Sequence, residues 1–358
     1  MSNKPNVRFA AINKRVQRNI ILPTETTYSG AKYVQWGEGN KYPDFLLFLY
    51  RNCTTLHSVI SGAVDYVCGD SIESSVLPNG RINQNGESKE DFVEILARDY
   101  FTFGGFAIEV IRDREGDVSE VSALPLQNLR SDKNNEAFYY SEKWEKSGTK
   151  YEVLPKFVPE HRNNARSVYL YKNSTYSTYP EPIYAASVKA CNIECDIDDY
   201  HLNAIENGFA GSVIVNFNNG QPEDAIMDEI EKNFNAKFSG SENAGRIAFC
   251  WNENRASATT IDKLPVDDFG DRYAALSKHS RQQIFTAFRA NPNLFGIPTE
   301  SLGFSEEEYK SAFKLFNRTI VRPAQKRICN ALDEIYGIEG VLTIRPFSLE
   351  EESEKTVE

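Results

Sequence analysis

The sequence of 358 residues lacks the short motifs by which many enzymes can be recognised. It contains no G-x-x-x-x-G-K-[ST] phosphate loop, no H-E-x-x-H zinc motif and no G-x-S-x-G nucleophile elbow. Gly37 and Gly39 form a Gly-x-Gly pair that lacks the rest of a dinucleotide fingerprint. A chain without a phosphate loop is not a motor that hydrolyses ATP, and we predict no catalytic centre and no cofactor.

Positive charge and long apolar runs are also scarce. The chain has 40 Lys and Arg against 51 Asp and Glu, a formal net charge of −11. Such a balance argues against a protein that coats nucleic acid, because coating requires clustered cations that neutralise phosphates. It does not argue against a channel through which DNA slides without being held. No run of about 18 apolar residues occurs, so we expect no membrane span. The N-terminus has no long apolar region, so we expect no signal peptide.

Metal ligands and catalytic pairs are not evident either. The six cysteines form no C-x-x-C pair, and only four histidines are present. Cys191 and Cys195 share one helix face, but no histidine lies near them in sequence, so we expect buried free thiols and no metal site. The acidic pairs 198–199 and 267–268 suit solvated helix faces or helix caps better than catalysis.

Charge is distributed unevenly between the two termini. Residues 1–20 carry five cations and no acid, whereas Glu350, Glu351, Glu352 and Glu354 make the tail acidic. Two interpretations remain open for the first 20 residues. They are a solvated terminus, or a basic arm that grips a neighbouring subunit or DNA.

The first half of the chain has an α+β pattern. A helical periodicity begins after Pro43 and ends at Gly69, and Asn52 and Thr54 are positions where it can split in two. A second amphipathic helix ends at Gly104-Gly105. The segments 106–112 and 118–121 then predict a β-hairpin, followed by short aromatic strands at 136–145, 150–158 and 167–172.

The second half predicts longer helices. A helix of roughly 27 residues is expected over 182–208, and its narrow apolar stripe favours packing against neighbouring helices. A short β-rich excursion follows, and Pro222 begins the next helix. Helix, excursion and helix together predict a protruding hairpin with its tip at 210–221.

The last third predicts a strand at 246–251, a helix over about 268–290, a loop rich in Pro and Gly, and a final helix. Ser305 and Glu308 have the spacing of a capping box at the start of that helix. Pro323 lies inside it and predicts a kink near 319–323, because proline removes a backbone hydrogen bond and clashes with the preceding turn. Residues 341–347 close the chain as a strand.

Several stretches resemble the portal proteins of tailed bacteriophages, in the order in which that family has them and over about residues 35–345. They are Trp36-Gly37-Glu38-Gly39-Asn40-Lys41-Tyr42-Pro43, Phe103-Gly104-Gly105-Phe106-Ala107, Tyr179-Pro180-Glu181-Pro182-Ile183-Tyr184, Asn207-Gly208-Phe209, Phe238-Ser239-Gly240 with Asn243-Ala244-Gly245, and Pro323.

The resemblance implies a portal fold: an α/β wing with a two-helix stem, a short clip, a kinked long helix after a tunnel loop, and a minimal crown. It implies the following parts: an N-terminal arm (1–39), wing (40–181), first stem helix (182–208), clip (209–221), second stem helix (222–239), second part of the wing with a helix (240–290), tunnel loop (291–304), kinked long helix (305–336), and a short C-terminal strand with an acidic tail (337–358).

The same resemblance implies a function. The chain is expected to form a homo-oligomeric ring, a dodecamer, at the capsid vertex, and to serve as the conduit for DNA packaging and ejection. Its expected partners are the major capsid protein, the terminase large subunit, a head–tail adaptor and double-stranded DNA. We expect assembly in the host cytoplasm, a final location in the virion, and no contact with membranes.

Site residues follow from these parts. The tunnel-loop set that is expected to contact DNA is Arg289, Asn291, Asn293, Thr299 and Glu300. The clip set that is expected to dock partners is Asn216, Phe217, Asn218 and Asn219. The stem-packing set is Val188, Cys191, Cys195, Leu202 and Ile205.

Two other classes remain open. One is a different head–tail connector or ring-forming structural protein of the virion, although connectors are usually shorter. The other is an α+β enzyme with a diffuse active site. The expected tunnel loop (291–304) and clip (209–221) can also be ordinary polar surface loops.

Overall fold

A computed structural model describes residues 6–10, 20–27, 30–144, 149–206, 213–218, 222–238, 247–252, 269–296 and 306–348. Contacts divide the chain into two units. The larger unit comprises Ile20–Asn192 and His279–Glu358, and the smaller comprises Met1–Asn19 and Ile193–Lys278.

The described helices are α1 (Tyr42–Asn52), α2 (Thr54–Cys68), α3 (Lys89–Phe103), α4 (Val188–Glu206), α5 (Asp224–Phe238), α6 (Phe269–Phe288), α7 (Glu306–Phe316) and α8 (Arg322–Tyr336). The described strands are β1 (Asn6–Ala10), β2 (Glu25–Thr26), β3 (Gln35–Trp36), β4 (Ser71–Ser74), β5 (Gly105–Arg112), β6 (Val118–Leu124), β7 (Leu129–Ser131), β8 (Ala137–Tyr140), β9 (Glu152–Pro155), β10 (Arg166–Lys172), β11 (Val213–Phe217), β12 (Ile247–Trp251) and β13 (Leu342–Arg345). The mixed α+β class expected from the sequence is confirmed.

Local sequence signals account for the first helices of the larger unit. Cys53 adopts extended backbone angles between α1 and α2, so the periodic segment splits where the sequence allowed it. Gly69, at φ 65°, ends α2. Ser88 and Asp91 form a capping box at the start of α3, with each side chain bonded to the other residue's backbone N–H. These helices bury their apolar faces against one another and against α8.

Short antiparallel sheets complete the larger unit. The central one has the order β10-β5-β6 and contains the predicted hairpin. The sheet β7-β8-β9 lies beside it, and β13 pairs with β4, so the last strand closes against the end of α2. In each case the pairing is antiparallel.

The Gly104-Gly105 pair joins α3 to β5 where other chain segments approach closely. Gly104 has a left-handed conformation at φ 88°, and a Cβ there would meet the carbonyl of Glu181. A Cβ at Gly105 would meet the carbonyl of Tyr171. Glycine is therefore required at both positions by lack of space, and at Gly104 also by backbone angle.

Arg130 is a cation at the centre of the larger unit, with none of its surface exposed. Its guanidinium donates to the carboxamide and backbone oxygens of Asn40 and to the backbone oxygens of Gln127 and Leu129, the last two at 2.8 Å. It also lies 5.9 Å from the ring centre of Trp36 and 5.0 Å from that of Trp144. Burial lowers the pKa of the Arg130 guanidinium to about 10, so it stays charged at neutral pH.

Part of the expected N-terminal arm (1–39) packs into this core, through residues 34–37. The Trp36 ring is 1% exposed and stacks on Tyr179 with ring centres 4.5 Å apart. The Tyr179 hydroxyl donates to the Val34 carbonyl and accepts from the Ser131 N–H. The Glu25 carboxylate accepts the backbone N–H groups of residues 178 and 179, both at 3.0 Å.

The smaller unit contains a three-stranded sheet of order β1-β12-β11. β11 and β12 run parallel, with α5 between them in the chain, and β1 is antiparallel to β12. This βαβ arrangement corrects the expected hairpin, because the excursion at 213–217 pairs with a strand 34 residues further on. β12 thus belongs to the smaller unit, whereas residues 240–290 were expected to form the second part of the wing.

Two long helices also differ from expectation. α4 begins at Val188, and residues 185–187 form a 3-10 turn, so the helix starts later than residue 182. Between α7 and α8, residues 317–321 form a π-helical turn, and Pro323 lies in the first turn of α8. Proline is tolerated there since its missing N–H costs little at a helix start. The capping residue Ser305 lies outside the described residues.

We predict that Arg130→Met lowers the free energy of unfolding by about 3 kcal/mol, because it leaves several buried oxygens without a donor. Arg130→Lys should recover only part of the loss, since one ammonium cannot reach all of these oxygens. Denaturant titration measures both changes. The exposed Arg162, which pairs with Asp117, is the control, and its replacement by Met should cost under about 1 kcal/mol. An equal loss of unfolding free energy at Arg130 and Arg162 would contradict a central role for Arg130 in the core.

Candidate functional site

The segment 289–296 connects α6 to the undescribed residues 297–305. Arg289 has φ 52° and is exposed at the end of α6. The Asn291 side chain accepts the N–H of Asn293 at 3.0 Å and caps the 3-10 turn Pro292–Phe295. Asn291 is exposed and Asn293 half-buried. Three members of the expected tunnel-loop set thus surround a defined turn, while Thr299 and Glu300 lie outside the described residues.

This turn is held in the larger unit by its apolar side chains. Leu294 is 7% exposed. The Phe295 ring lies over Gly62 in the middle of α2, where an added Cβ would stand 2.8 Å from a ring carbon. Glycine is less favourable than alanine inside a helix, but the absence of a side chain at Gly62 makes room for this ring.

Tyr66 organises an aromatic cluster around the turn. We use "aromatic cluster" for the rings of Tyr66, Phe295, Phe313, Phe316 and Phe347. The ring centre of Tyr66 lies between 5.4 and 6.3 Å from the other four, in edge-to-face geometry that aromatic pairs favour. Its hydroxyl also donates to the Leu294 carbonyl at 3.4 Å. The cluster therefore ties the turn to α2, to α7 and to the segment after β13.

Two of the four expected clip residues lie in the sheet of the smaller unit. Asn216 and Phe217 are the last residues of β11. The Phe217 ring is half-buried and stacks on Trp251 of β12, with centres 5.7 Å apart and planes 13° apart. Asn218 is exposed, and its side-chain oxygen accepts from Asn252 at 3.1 Å. Asn219 lies outside the described residues.

The stem-packing set divides in two. Val188, Cys191 and Cys195 are at most 7% exposed, so their side chains are already covered within one chain. Leu202 is 56% exposed and remains available to a neighbouring molecule. The side chain of Ile205 lies outside the description. The apolar stripe that the sequence shows along α4 therefore serves the chain's own core over its first half.

Described contacts connect α4, and the turn before it, with α6. In the larger unit, the Ser187 hydroxyl, just before α4, donates to the Gln283 carbonyl of α6 at 3.0 Å, and the rings of Tyr184 and Phe288 stack 5.6 Å apart. In the smaller unit, Tyr200 of α4 stacks on Tyr273 of α6 at 4.5 Å. Both helices cross the boundary between the two units. Sequence reasoning missed this pairing, because the partners are about 75 to 100 residues apart.

The described thiols are mostly covered by the fold. Cys53, Cys191 and Cys195 are buried and form no disulfide bond. Burial raises the pKa of Cys68 and of Cys329 to about 11, so both remain protonated at neutral pH. Among the described residues, no three His, Cys, Asp or Glu side chains stand close enough to hold a metal ion.

Within the described segments, no helix has both the length and the apolar character that crossing a membrane requires.

Comparison with known proteins agrees with this architecture. The chain is similar to a protein in the neck of a native gene transfer agent particle computed with C12 symmetry, at 17% identity and a TM-score of 0.53, over 86% of this chain and 85% of that one. It is also similar to a chain in the virion of a native gene transfer agent particle, at 15% identity and a TM-score of 0.55, over 84% and 83%. Among curated protein sequences none matches it.

The sequence profile of the family described as "Phage portal protein" matches residues 79–345. The matched range contains α3 to α8, the parallel strands β11 and β12, and the 3-10 turn Pro292–Phe295 after α6. It covers about three quarters of the chain, and the fold shared with the two particle proteins is consistent with it. The chain belongs to the phage portal protein family.

Proposed function

We propose that this protein is the portal subunit of a tailed phage or phage-like particle, and that copies of it form a ring around a DNA channel. The contacts between α4 and α6 support this proposal most directly. Each of these two helices has residues in both units. In a portal ring two such helices form the stem. The similar particle proteins include one whose neck was computed with C12 symmetry, which favours a dodecamer.

The parts of the portal are reassigned accordingly. The stem is α4 and α6, and the clip is the sheet of the smaller unit with α5. The wing is the α+β core of the larger unit, and the tunnel loop follows Gly296. Residues 337–358 remain the minimal crown. This assignment makes the clip a folded unit of a few dozen residues, which offers a larger docking surface than the dozen residues expected from the sequence.

The exposed face of α5 is the proposed docking surface for the terminase large subunit and later for a head–tail adaptor. Ile226 keeps 47% of its surface in solvent, and Glu223 and Glu229, three positions before and after it, are also exposed. An apolar side chain flanked by two acids suits a partner whose surface is apolar at the centre and basic at the rim. Asn218, directly after β11 in the same unit, is also exposed.

The acidic chain suits a conduit, since a channel that bound DNA tightly would resist its passage. The tunnel-loop residues Arg289 and Asn291 are exposed and would approach DNA from a turn that is fixed by Phe295. A rigid base with a short projecting loop can narrow a channel without making the whole wall adhesive. Final location in the virion, at the portal vertex in contact with the major capsid protein, follows from this function.

A loop replacement tests the conduit. Residues 297–303 are exchanged for a Gly-Ser linker of equal length, which leaves the packed turn 292–296 intact. We expect rings of unchanged thermal stability and a loss of at least about tenfold in packaged or retained DNA, measured by nuclease protection in reconstituted particles. The matched variant Phe295→Ala should instead lower stability by about 2 kcal/mol. Normal packaging by the linker variant would contradict the assigned role of this loop.

A pair of substitutions in α5 tests the docking surface. Ile226→Asp should leave folding unchanged and weaken binding to the terminase large subunit by about tenfold, because it puts a charge at the centre of an apolar contact. Binding is measured by surface plasmon resonance with assembled rings. Met227 is 1% exposed, so Met227→Ala is the control and should lower stability by about 2 kcal/mol. Unchanged affinity of the Ile226→Asp ring would refute docking through α5.

A further inference from the structure

The helices α7 and α8 carry an unusual concentration of positive charge. Residues 309–332 contain six Lys and Arg and no Asp or Glu, although the chain has a net charge of −11. Five of them recur at every fourth position, and we call them the basic stripe: Lys310, Lys314, Arg318, Arg322 and Lys326. The sixth, Arg327, faces the core, where its guanidinium lies 5.6 Å from the ring centre of Tyr100.

The basic stripe is open to solvent. Four of its five residues are exposed, and the half-buried Lys310 forms an ion pair with Glu306 at 2.6 Å. In the described part of the chain, the other four form no ion pair. Like charges four residues apart on a helix repel one another and destabilise it. A polyanion lying along the stripe would remove that repulsion.

The π-helical turn aligns the stripe. Over the 16 residues from Lys310 to Lys326, positions spaced by four drift about 160° around a regular α-helix. A π turn contains one additional residue, which reduces the drift to about 60°. The turn at 317–321 falls in the middle of this interval. It therefore keeps the five cations on one side over a length of about 24 Å.

The last described residues before the acidic tail contact α7, the helix on which the stripe begins. Phe347 stands 5.9 Å, centre to centre, from Phe313 on α7, and Phe313 lies between Lys310 and Lys314 in the helix. Residues 349–358 follow directly and contain five glutamates and one lysine. Ten extended residues span about 33 Å, so they can cover the full length of the stripe. Position, length and charge all match.

We propose that the acidic segment 349–358 docks along the basic stripe of its own chain. Glu350, Glu351, Glu352 and Glu354 lie against the stripe cations and occupy the place that another polyanion, such as a phosphodiester backbone, would take. The aromatic contact of Phe347 fixes where the segment starts. The tail is thus a built-in competitor that prevents the basic stripe from holding nucleic acid.

Carbodiimide coupling of the intact protein tests the contact, since it joins a carboxylate to an amine only where the two touch. At 50 mM salt we expect amide links from Glu350–Glu354 to Lys310, Lys314 or Lys326, identified by mass spectrometry. At 1 M salt they should vanish, because screening removes the attraction. Links to lysines elsewhere, or no tail links at all, would overturn the proposal. In assemblies mixed from ¹⁴N and ¹⁵N chains, links between unlike chains would overturn docking within one chain.

Charge-neutral variants supply a second readout, the affinity for a 20-base-pair DNA duplex at 50 mM salt. The tail variant replaces Glu350, Glu351, Glu352 and Glu354 with Gln. Its control replaces the same number of exposed acids elsewhere: Glu115, Glu142, Glu160 and Glu339. We expect the tail variant to bind the duplex about tenfold more tightly than its control, and to lose that gain when Lys314, Arg318 and Arg322 are also changed to Gln. Equal binding by tail variant and control would refute the competitor role.

Discussion

The buried Arg130 is the interaction on which the larger unit depends. Its charge is compensated by the neighbouring carbonyl oxygens of Gln127 and Leu129 and, from segments more distant in the chain, by the oxygens of Asn40 and two indole rings. Through Trp36 and Tyr179 it holds the segment that leads into α4. Tyr184 continues that path, since its hydroxyl donates to the Thr102 carbonyl and its ring stacks on Phe288 at the end of α6. The start of α4 and the end of α6 are therefore both linked to this core.

The sequence predicted what depends on neighbours in the chain. The break between α1 and α2, the glycine ends of α2 and α3 and the β5–β6 hairpin are all confirmed, because short-range sterics and capping determine them. It failed where partners are distant. The parallel pairing of β11 with β12 and the pairing of α4 with α6 rest on contacts that no local pattern encodes. The burial of Cys191 was expected and is confirmed, although the stripe on α4 alone fits either a core or an interface.

Net charge alone describes this molecule poorly. The chain is acidic overall, yet its acids and bases are segregated, with an acid-free helical stretch at 309–332 and an acidic segment at 350–354. A conduit for a polyanion needs this kind of separation, because every exposed cation is a place where DNA can stop. The π-helical turn before Pro323 has a geometric role, because it keeps the cations of α7 and α8 on one side.

The central claim is a ring whose stem is α4 with α6 and whose clip is the small βαβ unit. Cryo-electron microscopy of the purified protein tests it most directly. We expect closed rings with a central channel, with α4 and α6 paired along the wall and residues 213–251 at the narrow end. Separate monomers, or rings that place residues 213–251 on the outer rim of the wide end, would contradict the account.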